Sequence, residues 1–195
     1  MRTGGRRAAR TWRSGVAVAA ALLTAGLWAP PIRAQAPRAT IRMRPFTTPI
    51  VLDTLARSHE YSLEPWLAFR AVLAAFEAHG IPVTTRDSAQ GLVANLRLVR
   101  SRSVGKLRMS QIVNCGAGLM GPNADQGRVT LAIGGFVGAA GPGRSTVGFA
   151  VTGSSIDLSG ASIDPDACES TGYLEAQLAK LVTVRSGLDS PRDRN

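Results

Sequence analysis

Chemistry in this chain would have to come from a short roster: two cysteines, two histidines and thirteen carboxylates in 195 residues. The most suggestive stretch is NCGAGLMGPNAD, Asn114 to Asp125. Within it GAGLMG has the glycine spacing of a dinucleotide-binding turn, and Cys115 stands at its head. A dinucleotide turn needs a helix starting within the glycines and an acidic residue about twenty positions later for the ribose. Pro122 and Asn123 follow the last glycine here, and no Asp or Glu occurs from Gln126 to Ile156. A glycine-rich surface loop therefore accounts for the pattern better than a cofactor site, and no cofactor is expected.

Cys115 could be a nucleophile only as a thiolate beside a base. The candidate bases are His59, in a polar lead-in, and His79, at the end of an amphipathic segment whose last carbonyls it could serve. No G-x-S-x-G occurs, and nothing pairs either histidine with a serine and an acid. Asp157, Asp164 and Asp166 lie in IDLSGASIDPD but lack the ligand spacing of a calcium loop. Asp164-Pro165 reads instead as a turn or a helix start, so no metal site is expected.

The N-terminus sets the compartment. Arg2, Arg6, Arg7, Arg10 and Arg13 precede an apolar run, Gly15 to Trp28, and Ala34-Gln35-Ala36 fits a signal-peptidase site. Cleavage is expected after Ala36 or Ala34, making residues 1–36 a removable signal. No cysteine near that site suggests a lipid anchor, and no later segment is long and apolar enough to span a membrane. The formal charge of +10 shrinks accordingly. Six of the 23 basic residues lie in residues 1–36, leaving 17 against 13 acids. That is an ordinary surface rather than a nucleic-acid footprint. In an oxidising compartment Cys115 and Cys168 are expected to pair, worth roughly 4 kcal/mol in the chain-entropy account.

Two further groups invite partners. From Ser88 to Ala124 there is no acid, whereas Arg97, Arg100, Arg102, Lys106 and Arg108 are present. On one strand and its following loop they would make a basic edge for an anionic lipid, polysaccharide or acidic protein, or simply guard a sheet edge. No aromatic residue lies between Phe76 and Phe136 to stack on bases, so nucleic acid is not expected. Trp66, Phe69, Leu73 and Phe76 form an aromatic stripe that is either core or the wall of an apolar pocket.

The elements that would position these groups follow from periodicity. Residues 37–48 read as a flexible lead-in, and Ile50 to Leu55 as a short strand. PWLAFRAVLAAFEAHG predicts a helix from Pro65 with Gly80 as its left-handed cap. IPVTT and LVANLRLVR predict two strands joined by a hairpin between Asp87 and Gly91, with Ala94, Leu96 and Leu98 sharing a face. MSQIVNC fits a helical turn or a strand. RVTLAIGGFVG and STVGFAVTG predict a second hairpin, with Val129, Leu131 and Ile133 on one face and Val147, Phe149 and Val151 on one face. TGYLEAQLAKLVTV predicts a helix burying Leu174, Leu178 and Leu181, with Glu175 and Lys180 outside. Residues 187–195 read as a disordered tail. The expected fold is a single α+β domain over 49–186. It has an antiparallel sheet of four or five strands, two long helices on one face and one disulfide.

Residues Pro65 to Leu98, with their helix, G-I-P-V strand, Asp-containing turn and second strand, resemble the helix-grip modules of bacterial envelope proteins of the BamC lipoprotein type. That resemblance implies an envelope binding or assembly module without catalytic residues, though here without the lipid-bearing cysteine. NCG, GPNAD and CESTGYLE resemble an exported bacterial family that carries no assigned function. The reading that follows is an exported, periplasmic or secreted, non-enzymatic binding module, its partner an envelope protein or an anionic polymer or lipid. An exported carrier of a small apolar ligand comes second and a hydrolase third.

Overall fold

Prolines, glycines and alternating apolar residues divide the chain into its elements. The computed structural model describes residues 38–158 and 164–185. The expected signal, the tail and the middle of IDLSGASIDPD lie outside the described residues. β1 (Thr40–Ile41) and β2 (Ile50–Val51) form a two-stranded ribbon, and a 3-10 turn, Leu52–Leu55, leads into β3 (Arg57–Tyr61). The strand expected from Ile50 to Leu55 thus stops after two residues. The chain turns there into the 3-10 segment, from which the Asp53 carboxylate accepts the Arg38 backbone N–H at 3.3 Å.

α1 (Pro65–Ala78) starts on a proline, whose missing N–H would have no partner in a first turn anyway. It ends at His79, and Gly80 follows at φ 66°. β4 (Thr85–Asp87) and β5 (Leu92–Ser101) make the first hairpin. Asp87 Oδ1 holds its turn by accepting the backbone N–H groups of Ala89 and Gln90 at 2.9 and 3.0 Å. β6 (Ser103–Val104) and β7 (Leu107–Arg108) form a tight hairpin, followed by the single-turn α2 (Met109–Ile112) and by β8 (Val113–Asn114). MSQIVNC is therefore both things in succession, a helical turn and then a strand.

The glycine-rich stretch holds β9 (Ala117–Gly118), β10 (Gly121–Pro122) and the single-turn α3 (Asn123–Gln126). β11 (Arg128–Gly141) and β12 (Arg144–Ile156) are the long central hairpin, and β13 (Asp166–Ser170) and α4 (Tyr173–Arg185) complete the described chain.

Mixed helix and sheet is the architecture, but the sheet is larger than four or five strands. Seven strands join it, in the order β4-β5-β11-β12-β13-β8 with β3 also on β12, and every pairing is antiparallel. The extra strands come from β12. Its free edge takes β3 along Ser145 to Phe149 and β13 along Gly153 to Ser155, so two short strands share one long edge.

Each face of the sheet carries its own apolar layer. Val129, Leu131, Ile133, Val147, Phe149 and Val151 pack with Phe69, Val72 and Phe76 of α1 and with Leu174, Leu178 and Val182 of α4. On the other face Leu92, Ala94, Ala132, Phe136 and Ala150 pack against Ala39, Ile41 and Leu52. The segment read as a lead-in is what covers this second face.

Two residues depart from the faces expected for them. Leu98 lies in the helix-side core, whereas Ala94 and Leu96 belong to the opposite layer. The cause is a β-bulge: Leu131 pairs with Leu98 and Ile133 with Asn95, so two residues of β5 oppose one of β11. Glu175, expected outside α4, is 8% exposed and accepts a hydrogen bond from the Ser170 hydroxyl.

Candidate functional site

The first turns of α1, the β4–β5 loop and the far end of the β11–β12 hairpin enclose an open cleft of about 980 Å³. Helical spacing brings Trp66, Phe69 and Arg70 to it, since residues three and four apart share a helix face. Arg86 comes from β4, and Arg38 from the segment that precedes β1. Gly91 closes the turn at φ 64°, so close to β11 that a Cβ there would fall 2.0 Å from the Val137 carbonyl oxygen. No side chain could replace it without moving the hairpin off β11.

Guanidinium groups sit over aromatic rings throughout this region. Arg70 lies 5.9 Å from the Trp66 ring centroid, Arg86 5.9 Å from Phe69, and Arg38 4.9 Å from Phe136. Such stacking is worth about 0.5–1 kcal/mol at exposed positions and fixes where the cations stand.

The three arginines are not equivalent. Arg38 donates to the Val137 carbonyl at 3.1 Å and lies 3.9 Å from Asp53, so its charge is partly answered within the protein. Burial lowers its pKa from the ordinary value, and the Asp53 carboxylate works against that. The other ion pair among the described residues joins Arg144 to Glu60. Arg70 and Arg86 are exposed, and among the described residues neither has a carboxylate partner. Trp66 is 59% exposed beside them. Two guanidiniums without a carboxylate partner among the described residues, and an indole that stays 59% exposed although Arg70 lies over its ring, can together hold an anionic group and stack on the framework that carries it.

The expected apolar pocket wall divides. Trp66 and Phe69 line the cleft; Phe76 is fully buried and Leu73 half-buried, and both pack into the core instead. Val72 and Phe76 fill the space beneath the helix, because Gly135 of β11 presents no side chain and lets α1 settle against the sheet.

The expected basic edge is likewise divided. Arg97, Arg100, Arg102, Lys106 and Arg108 are all exposed. The bulge turns Arg97 toward the face covered by β1 and β2, whereas Arg100 pairs with Val129 of the helix-side layer. Lys106 and Arg108 belong to the hairpin beyond, and Arg102 immediately precedes it. Arg97 joins Arg42 and Arg44 around a smaller cleft of about 380 Å³. Reading missed Arg42 and Arg44, yet the alternation in IRMR carried the signal, with Ile41 and Met43 turned inward. Arg86 was missed for a different reason, since only the tertiary fold brings β4 beside α1.

The remaining chemistry candidates do not converge. The sulfurs of Cys115 and Cys168 stand at bonding distance, 2.02 Å, and no free cysteine remains. His59 is exposed on β3 and His79 caps α1. Among the described residues, neither histidine hydrogen-bonds to a serine or a carboxylate, and no three His, Cys, Asp or Glu side chains cluster as metal ligands. No described helix is long and apolar enough to cross a membrane.

Geometry thus defines a mixed α and β domain with an electropositive, aromatic cleft. Compared with known proteins, the chain matches no family model, and no curated protein matches it in sequence.

Proposed function

We propose that this chain is an exported, non-enzymatic binding module of the bacterial cell envelope or periplasm, and that its site is the cleft at the start of α1. One observation carries the reading: among the described residues Arg70 and Arg86 have no carboxylate partner, and they share one cleft with the exposed Trp66. Exposed arginines on a domain usually find carboxylates or open solvent. Here aromatic rings hold two of them at one cleft, which suits an anionic envelope polymer whose acidic groups take the guanidiniums while a ring of its backbone stacks on the indole.

Export is supported by the basic and apolar N-terminal sequence and by the paired cysteines, which persist in oxidising compartments. The resemblance of Pro65 to Leu98 to helix-grip modules supports an envelope role. A carrier of apolar ligands is less well supported, because Phe76 and Leu73 fill the space such a ligand would need.

Calorimetric titration with polygalacturonate, with neutral dextran as control, tests the reading. Polygalacturonate should bind and dextran should not, and Arg70→Ala with Arg86→Ala should weaken binding about tenfold or more. Unchanged affinity in that double variant would place the anion site elsewhere and sink the proposal.

A further inference from the structure

The glycine-rich stretch that began as a cofactor pattern ends in a feature of another kind. β9 and β10 pair as a hairpin of two residues each, Gly118 opposite Gly121 and Ala117 opposite Pro122. Leu119 and Met120 form the turn between them. Leu119 is 106% exposed and Met120 83%, the two most exposed of the large apolar residues among those described. A two-residue turn is normally built of glycine, asparagine or aspartate. Placing leucine and methionine there gives up turn preference and leaves two apolar side chains in water.

The tip is held firmly from below. Cys115 at its foot is joined to Cys168. Asn123 donates its backbone N–H to the Gly116 carbonyl at 3.0 Å and its side-chain amide to the Cys115 carbonyl at 3.3 Å. The Gln126 amide donates to the Met120 carbonyl at 2.6 Å. A braced apolar tip loses little conformational freedom when it is buried in a partner.

Charge decides what that partner is. The tip lies within the acid-free run from Ser88 to Ala124. Lys106 and Arg108 sit on the β6–β7 hairpin, which runs directly into α2, and Arg102 immediately precedes it. α2 is fastened to α3, at the base of the tip, by Ser110, whose backbone N–H and hydroxyl donate to the two Asp125 carboxylate oxygens at 2.9 and 2.7 Å. The nearest acid in sequence is thereby engaged; the exposed Glu169 lies across the ladder from Asn114 at the foot of the tip, and the exposed Arg102, Lys106 and Arg108 outnumber it.

We infer that Leu119 and Met120 insert into the interfacial region of an anionic phospholipid bilayer, with Arg102, Lys106 and Arg108 against its headgroups. The tip is convex and only two residues wide, a shape that a soft interface accepts without a matching pocket. One small apolar anchor binds a bilayer only marginally, and neighbouring cations supply the second attraction that reversible docking needs. This surface is independent of the Arg70–Arg86 cleft.

The apolar run Gly15 to Trp28 could itself adsorb to lipid, so the readout is placed on the tip. The whole chain carrying Met120→Cys, or Leu119→Cys as a second variant, is labelled with an environment-sensitive nitrobenzoxadiazole dye. Matched protein labelled through His59→Cys, exposed on β3 and outside both clefts, serves as control. Vesicles of phosphatidylcholine with phosphatidylglycerol should shift the tip label to shorter wavelength and expose it to quenching by spin-labelled lipid, while the His59→Cys label stays unshifted. The shift should be lost in vesicles of phosphatidylcholine alone, in high salt, and in the combined Arg102→Glu, Lys106→Glu and Arg108→Glu variant. A tip label that remains in water, that shifts equally on neutral vesicles, or that shifts without vesicles because two copies associate would overturn the inference.

Discussion

Gly135, at the centre of β11, lies so close to Val72 of α1 that a Cβ built on it would fall 2.7 Å from Val72 Cγ1. The same atom would meet Phe149 and Phe76 at 3.2 and 3.3 Å. The helix can settle on the sheet because this strand position presents backbone and no side chain. Gly135→Ala should therefore destabilise the domain. Overpacking costs about 1–3 kcal/mol, against roughly 0.5–1 kcal/mol recovered from a less flexible unfolded chain. A lower urea midpoint is expected. Val72→Ala, which removes the closest of the three contacts, should reduce the cost of Gly135→Ala in a double-mutant cycle, and purely additive losses would show that the two residues do not meet.

Cys115 and Cys168 are cross-strand neighbours. Asn114 pairs with Glu169, the next pair along sets the two cysteines opposite each other, and their Cα atoms are 4.2 Å apart. Their bond closes a loop across a sequence separation of 53 and fastens the short β8–β13 pairing. Replacing both by alanine should cost roughly 4 kcal/mol of unfolding free energy by the chain-entropy account, with thiol titration of the folded native chain finding no free thiol. Two titratable thiols, or a variant of native stability, would contradict the bond.

Local pattern made much of this legible. The α1 boundaries followed from Pro65 and Gly80, and the β11–β12 hairpin from strict alternation around a turn-rich GAAGPGR. What pattern could not show were effects set by partners distant in sequence. Asn95 is one such case. It reads as the polar side of an alternating strand, but it is 3% exposed, donates to the Pro82 carbonyl at 2.7 Å, and accepts the Arg97 N–H at 3.1 Å. That polar side chain satisfies the backbone where the bulge interrupts the ladder, and the bulge sends Leu98 to the opposite face. The strand count failed for a related reason: β3, β8 and β13 are two to five residues long and owe their pairing to neighbours rather than to their own composition. The cleft shows the same limit, since the spacing of Trp66 and Arg70 could be read from one helix, whereas Arg86 enters from a strand.

His79 closes α1 with its Nε2 buried and, among the described residues, without a hydrogen-bond partner. Gly105 of the β6–β7 turn packs against its backbone carbonyl, so the cap is covered by that hairpin. Burial lowers the His79 pKa from its ordinary value of 6.5, because the charged imidazolium loses water that nothing replaces. The folded state then binds a proton less readily than the unfolded chain. Above pH 6.5 both states are neutral at this residue and stability is complete. As pH falls below that value, the unfolded chain takes up the proton first, so stability declines until the folded-state pKa is passed. Urea unfolding near pH 7.5 and near pH 5.5 should show this loss in the native protein, a window above the carboxylate range. His79→Gln keeps a polar, uncharged side chain at the cap and should flatten the difference. A native protein more stable at the lower pH, or a variant that keeps the same slope, would assign the pH dependence to another group.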